Sequence, residues 1–257
     1  MNVWQTIVLG IVEGLTEFLP VSSTGHLILA SRLMHIKQSE FLSSFNIAIQ
    51  LGAVMAVVFL YGRTLLLDQK VLRRVAAAFI PTAAIGIIFY KVIKHVLMRS
   101  ELVVVWSLFV GGFILIVFEL FYNEREHPID DIRKLSYKQA ALIGVFQSLA
   151  MVPGISRSAA TIVGGLYLGL QRKTIVEFSF LLSIPTMAAA TGLDMIKSAA
   201  AFSMDQMGIL ILGFLVAFFV AMISVKFLLY FIKKHDFVVF GVYRIAVVFL
   251  FLVLWTR

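Results

Sequence analysis

Two short stretches of this 257-residue sequence hold the residue types that chemistry needs. In the first, Glu13 and Glu17 stand four residues apart and are followed by Ser22, Ser23, Thr24 and His26. On a helix the two carboxylates share a face about one turn apart, where they repel unless compensated. A divalent cation with oxygen ligands, a shared proton or a guanidinium from elsewhere in the chain would each serve. If a second helix starts near Ser22, His26 lies one turn along it, so a hydroxyl and an imidazole come within reach as the minimal activated nucleophile. Ser22 and Ser23 can equally be plain helix caps. The second stretch is Pro153-Gly154-Ile155-Ser156-Arg157-Ser158-Ala159-Ala160-Thr161, one arginine among hydroxyls between two apolar runs. Pro153-Gly154 breaks the helix, and Ser156, Ser158 and Thr161 can cap the next one, whose first free N–H groups carry the positive end of the macrodipole. Backbone donors, hydroxyls and a guanidinium in one turn make a phosphate cradle. The plainer alternative is a helix junction whose arginine pairs with a structural carboxylate.

The chain that must position these residues is 61% hydrophobic and only 14% charged, with a mean hydropathy of +0.99. That is the composition of a polytopic membrane protein. A cation at bilayer depth costs about 2.5–3.5 kcal/mol on insertion scales, so Arg157 calls for an anionic partner, either protein or substrate. The net charge of +8 could suggest nucleic acid. The basic residues, however, fall in short segments between apolar runs rather than on one polar face, which argues for topology instead and for no nucleic-acid partner. With no cysteine, disulfides, thiolate catalysis and cysteine metal sites are excluded. The first apolar run contains Glu13 and Glu17 and lacks a basic segment ahead of it, unlike a cleaved signal peptide.

In chain order, a helix to about Leu19 is interrupted at Pro20-Val21-Ser22-Ser23-Thr24-Gly25 and followed by a short helix to about Arg32. Such a broken pair reads as a re-entrant hairpin, allowed at membrane depth where it packs in protein or lines a wet cavity. Long apolar segments follow at about 44–62, 75–93 and 101–122, and residues 123–137 are the one sustained polar stretch. The plan then repeats, with a broken pair over 138–170 and long segments near 175–196, 207–232 and 237–255. An offset of 133 residues places Pro20 on Pro153, Ser23 on Ser156 and Phe45 on Phe178; one residue of slippage sets Glu13 on Gln147.

The expectation is an all-α membrane protein forming one integral domain over 1–257. Its halves, 1–122 and 138–257, each hold a re-entrant pair plus three transmembrane helices, giving six spans and two re-entrant hairpins. A half of that kind ends on the side opposite its start, so the repeat is inverted. Twelve lysines and arginines then fall on one side and seven on the other. This makes the first side cytoplasmic and puts both termini outside. Glu177, Gln147 and Arg244, in or beside apolar segments, can ring the same cavity or be interhelical hydrogen-bond partners. His35, His95, His127 and His235 fall at segment ends or in loops.

The stretch from Glu13 to Leu27 and the stretch from Pro153 to Thr161 resemble the motifs of a known family, the bacterial undecaprenyl-diphosphate phosphatases, also called bacitracin resistance proteins. The first is similar to that family's E/Q-x-x-x-E motif with the serines and histidine after it, the second to its P-G-x-S-R-S-x-x-T motif. Phe45-Asn46-Ile47-Ala48-Ile49-Gln50-Leu51-Gly52-Ala53, Glu177-Phe178-Ser179-Phe180-Leu181-Leu182 and Tyr243-Arg244 match as well, so the likeness covers essentially the whole chain. It implies a multi-pass enzyme of the bacterial inner membrane, with its site open to the periplasm. Such an enzyme hydrolyses an isoprenoid diphosphate lipid to the monophosphate and so recycles the carrier for peptidoglycan and other envelope polymers. Dependence on a divalent cation, Mg2+ or Ca2+, and bacitracin resistance are implied too, and a homodimer is left open. On this reading Glu13 and Glu17 hold the metal, while Arg157 and the N–H groups after Gly154, with Ser158 and Thr161, take the phosphates. Arg244 is a second phosphate contact. His26 is the base, acting on water or on Ser22, Ser23 or Ser156. The rival class is a lipid transporter or flippase, since inverted repeats with broken helices are also a transporter design.

Overall fold

A computed structural model describes residues 1–92, 100–124, 126–198 and 206–255. Lys94, His95, Arg99, Arg125 and Arg257 lie outside the described residues, as do residue 93 of the expected 75–93 segment and the side chains of Lys91 and Lys197. Among the described residues the chain is all helical. The ten α-helices are α1 (Val3–Thr16), α2 (Ser23–Leu33), α3 (Glu40–Leu67), α4 (Gln69–Val92), α5 (Glu101–Phe121), α6 (Tyr137–Ser148), α7 (Arg157–Tyr167), α8 (Arg172–Ser198), α9 (Met207–Phe231) and α10 (Val238–Trp255).

Their starts are written in short polar residues. Asn2 with Gln5 and Ser136 with Gln139 form capping boxes on α1 and α6, each satisfying two otherwise free backbone donors. Ser39, Ser100 and Ser156 cap α3, α5 and α7 through their hydroxyls. Pro20 and Pro153 stand in the two breaks, where no helical N–H is needed.

Five helices, α3, α4, α5, α8 and α9, contain stretches of 21 to 25 residues apolar enough to cross a membrane. The sixth expected span is α10, whose 18 residues reach about 27 Å; its apolar stretch Val238–Leu254 is shorter than the other five. At 14, 11, 12 and 11 residues, α1, α2, α6 and α7 are each too short to cross alone. The core is apolar and aromatic, centred on Phe18, Phe178, Phe180, Ile162 and Ile175, with Phe18 and Phe180 edge to face at 5.4 Å.

Helix α9 packs on α1 and α3, α4 on α6, and α5 on α10. Small residues allow the close approaches that hold helices together in lipid: a Cβ on Gly14 would lie 2.8 Å from the Ala217 carbonyl. The polar stretch 123–137 is not a free tether. Its Ile132 and Leu135 are buried in the core, and Ile129 exchanges backbone bonds of 2.9 Å with Gly169 and Gln171.

Two prolines lie inside long helices, Pro81 in α4 and Pro185 in α8, each followed by a threonine. Gln147 of α6 joins them, its amide nitrogen donating to Thr82 Oγ1 at 3.1 Å and Thr186 Oγ1 at 3.0 Å. Gln147 therefore ties α6 to α4 and α8 at the residues just after their internal prolines. Glu177 pairs with Lys173 at 3.9 Å, one turn back on α8.

Candidate active site

The two breaks meet in the protein interior. When α1 stops, the carbonyls of its last turn and of the residues after it lose their helical partners, and the second break supplies new ones. Arg157 Nη2 donates to the Glu17 carbonyl at 3.5 Å, Ser158 Oγ to the Phe18 carbonyl at 2.8 Å, and Ser156 Oγ to the Leu19 carbonyl at 3.5 Å. Three consecutive side chains thus serve three consecutive carbonyls. This fixes the register of one break on the other and tells which hydroxyls are structural. Ser156 also accepts from the Ala159 N–H as the cap of α7.

Arg157 continues into the chemistry. Its Nη2 contacts Glu17 Oε1 at 3.2 Å, its Nη1 donates to the Ser179 carbonyl at 3.0 Å, and its Nε, buried, has no protein partner. The guanidinium lies 5.8 Å from the Phe18 ring centroid. The other Glu17 oxygen accepts from Ser23 Oγ at 2.5 Å, the length of a charge-assisted hydrogen bond. A hydroxyl, a carboxylate and a guanidinium therefore form one chain across the two breaks. Glu13, one turn earlier, is completely buried, and neither of its carboxylate oxygens has a hydrogen-bond partner. Two orphaned oxygens beside a second carboxylate suit a hard cation such as Mg2+, which takes one or two carboxylates and leaves its other positions to water and phosphate. Among the described residues, no group of three or more His, Cys, Asp or Glu side chains gathers that could hold a metal without such help.

His26 is placed differently from the expectation that it would meet a serine hydroxyl. Its Nδ1 lies 2.8 Å from the backbone carbonyl of Ser22, and its Nε2 lies 3.0 Å from the Tyr243 hydroxyl. The Ser22 carbonyl is presented by a backbone at φ 73°, a left-handed conformation unusual for a residue with a side chain. The Ser22 hydroxyl caps α2, accepting from the Gly25 N–H at 3.4 Å.

Three further residues are braces. Arg244, 1% exposed, donates to the carbonyls of Leu108, Ser107 and Gly154 at 3.3, 3.0 and 2.9 Å. Among the described residues it forms no ion pair with a carboxylate, and its Nε and Nη2 are engaged by backbone carbonyls. Thr161 is buried, and its hydroxyl is shared between the carbonyls of Arg157 and Ser158 and the Ser179 hydroxyl at 2.6 Å. Gly154 has φ 95°, and a Cβ there would lie 2.6 Å from the Val104 carbonyl and 2.8 Å from Ser107 Cβ. The expected result of Gly154→Ala is a loss of at least about 2 kcal/mol from strain and overpacking. Thermal unfolding in detergent measures it, and a midpoint equal to the parent's would mean that the loop relaxes freely.

Sequence reasoning did not place Ser179 or Tyr243 in the site. Both stand in stretches that match the family, Ser179 two positions after Glu177 and Tyr243 beside Arg244, but those matches carried no role for either residue. Of the other expected residues, Gln147 is held by Thr82 and Thr186 and Glu177 by Lys173.

Short broken helices paired inside a bundle of apolar spans, with a buried hydroxyl, carboxylate and guanidinium in contact, define a helical membrane protein with an intramembrane polar site. The chain belongs to the bacitracin resistance protein BacA family, whose model matches residues 6–250. It is 51% identical over 247 residues to the undecaprenyl-diphosphatase of Aquifex aeolicus, covering 96% of each chain. It is 50% identical to that of Persephonella marina over 98% of each, and 40% identical to that of Methanococcus aeolicus over the full length of both.

Proposed function

We propose that this chain hydrolyses undecaprenyl diphosphate to undecaprenyl phosphate and inorganic phosphate, returning the lipid carrier to envelope polymer synthesis and conferring bacitracin resistance when abundant. The observation that carries this reading to particular atoms is the Ser23–Glu17–Arg157 chain across the two breaks. Arg157 binds the terminal phosphoryl group with its free Nε and stabilises the charge that builds there during transfer. The first N–H groups of α7, after Gly154, face the same anion.

Ser23 is the hydroxyl best placed to attack, because its proton already points at Glu17. Its Oγ forms the new bond to the terminal phosphorus as the bridging P–O bond breaks, its proton passes to Glu17, and undecaprenyl phosphate leaves. Water then attacks the phosphorus as the P–Oγ bond breaks, the water's proton ends on His26, Glu17 returns its proton to Ser23 Oγ, and inorganic phosphate leaves. A divalent cation, Mg2+ or Ca2+, held by Glu13 and Glu17 would supply charge neutralisation on the phosphoryl oxygens. Six spans with two re-entrant hairpins in an inverted repeat agree with the element order, in which two short helices and three long ones occur twice. The polar stretch 123–137 joins the halves. With the basic excess cytoplasmic, the site and both termini face the periplasm of the inner membrane. A homodimer is compatible with this arrangement.

The test is phosphate release from undecaprenyl diphosphate by the purified protein in detergent with Mg2+, with Ca2+ and with EDTA. Release is expected with either metal and is expected to fall to background in EDTA. Glu13→Gln is expected to raise the metal concentration needed for half-maximal rate by at least about tenfold, since one carboxylate charge is lost from the donor set. A folded protein that releases no phosphate under any of these conditions returns the reading to lipid transport. Rapid-quench trapping with substrate labelled in the terminal phosphate tests the covalent route, and labelled Ser23 is the expected product.

A further inference from the structure

His26 has no open edge. The Ser22 carbonyl can only accept, so the 2.8 Å contact places the imidazole proton on Nδ1. The lone pair of the neutral ring is then on Nε2, and there the Tyr243 hydroxyl is the donor, at 3.0 Å. The two rings lie parallel, with 2° between their planes and 5.5 Å between centroids, which holds the phenol on that lone pair rather than letting it swing. His26 itself is 9% exposed, whereas Tyr243 is 43% exposed. Tyr243 is thus the more open residue of the pair. Its neighbour Arg244 is fastened to α5 and to Gly154, so α10 presents Tyr243 from a fixed position.

We infer that Tyr243 is a proton relay: the attacking water reaches its hydroxyl, not the imidazole. This rests on the assignment of His26 as the base. In the step, the water oxygen forms its bond to the phosphorus on Ser23 as the P–Oγ bond breaks and Glu17 returns its proton to Oγ, while the water's O–H bond breaks and that proton joins Tyr243 Oη. The proton already on Oη passes at the same time to His26 Nε2. Tyr243 ends neutral, His26 ends as imidazolium with its Nδ1 proton still on the Ser22 carbonyl, and no charge is left on the phenol. A hydroxyl is suited to this because it donates and accepts at one atom.

The experiment compares Tyr243→Phe with the parent and with His26→Gln, using the full-length protein in detergent and undecaprenyl diphosphate as substrate. Tyr243→Phe keeps the ring stack and removes only the relay oxygen. Expected is a fall in kcat of about 100-fold, the ordinary scale of a lost general acid–base contribution, with KM changed by less than about threefold. The solvent-deuterium proton inventory is expected to be curved in the parent, with two protons in flight, and linear in Tyr243→Phe. Fluorotyrosine at position 243 provides a second variant that keeps shape and hydroxyl, and the curved inventory is expected to persist in it, since a phenol that gains one proton as it gives up another builds no charge. Parental kcat in Tyr243→Phe would show that the phenol merely covers Nε2, overturning the relay. So would a reduced kcat with an unchanged curved inventory, or a fluorotyrosine protein with a linear one. A His26→Gln protein with parental turnover would instead overturn the choice of base, whereas an inactive His26→Gln beside an unaffected Tyr243→Phe overturns the relay alone.

Discussion

Replacing Arg157 with alanine is expected to lower turnover of the diphosphate by about 10³-fold, the upper range for loss of one preorganised donor at a developing oxyanion. The figure combines two consequences of its position. On the proposed mechanism its buried, unpartnered Nε is the donor to phosphate, and its other nitrogens tie the Glu17 carboxylate to the Ser179 carbonyl. Without it, Glu17 remains buried as an uncompensated charge beside Glu13, which costs about 3–5 kcal/mol. Arg157→Lys separates the two effects. A lysine restores the charge but cannot span Ser179 and Glu17 with a planar fork while also reaching substrate. Its stability is expected to return most of the way while kcat stays at least about 100-fold down. Phosphate release and thermal unfolding, measured on the same preparations, decide it. A lysine variant with parental kcat would mean that Arg157 acts as a point charge only.

Glu119→Ala is expected to do the reverse, weakening the fold without changing the chemistry. Glu119 lies near the end of α5, far along that helix from the Val104 and Ser107 contacts of Gly154. It is 1% exposed at the side chain and holds Arg172 through both oxygens, at 2.5 and 2.8 Å. Its Oε1 also accepts from the Phe237 N–H at 3.3 Å, and Arg172 lies over the rings of Tyr122 and Phe237 at 5.3 and 5.6 Å. One carboxylate therefore fastens the starts of α8 and α10 to the end of α5. Removing Glu119 leaves the partly buried Arg172, 19% exposed at the side chain, without its carboxylate, at a cost of about 1–3 kcal/mol. The expected readout is a clearly lowered unfolding midpoint in detergent, while kcat per folded molecule stays within about twofold of the parent. A Glu119→Ala protein of parental stability would show that Arg172 finds water there.

The two breaks, the long apolar helices and the pairing of Arg157 with an acid were legible in the sequence because each follows from a local rule. Proline and glycine interrupt helices, apolar runs demand helical closure in lipid, and a charge among apolar neighbours needs a partner. What could not be read was the division of labour among the hydroxyls. Ser22, Ser23, Ser156, Ser158 and Thr161 are alike as residue types, and only the geometry shows that Ser156 and Ser158 serve Leu19 and Phe18 while Ser23 serves Glu17. Arg244 illustrates the same limit from the donor side. Sequence reveals the cation but not that its Nε and Nη2 are taken up by backbone carbonyls. The partner of His26 was hidden by distance, 217 residues along the chain, where no spacing rule reaches.

The clasp between the breaks also bears on how the halves recognise each other. The first break contributes two acids, Glu13 and Glu17, and a row of vacant carbonyls; the second contributes a cation and the hydroxyl donors that fill that row. Two first halves brought face to face would crowd four carboxylates and leave their carbonyls unfilled, and two second halves would oppose arginine to arginine. Only the mixed pairing sets an arginine against the acids and closes every carbonyl of that row, so the two breaks carry a lock-and-key polarity that disfavours like pairing with like. Joining them in one polypeptide then guarantees the correct mate at the membrane, where either half alone would meet mostly copies of itself.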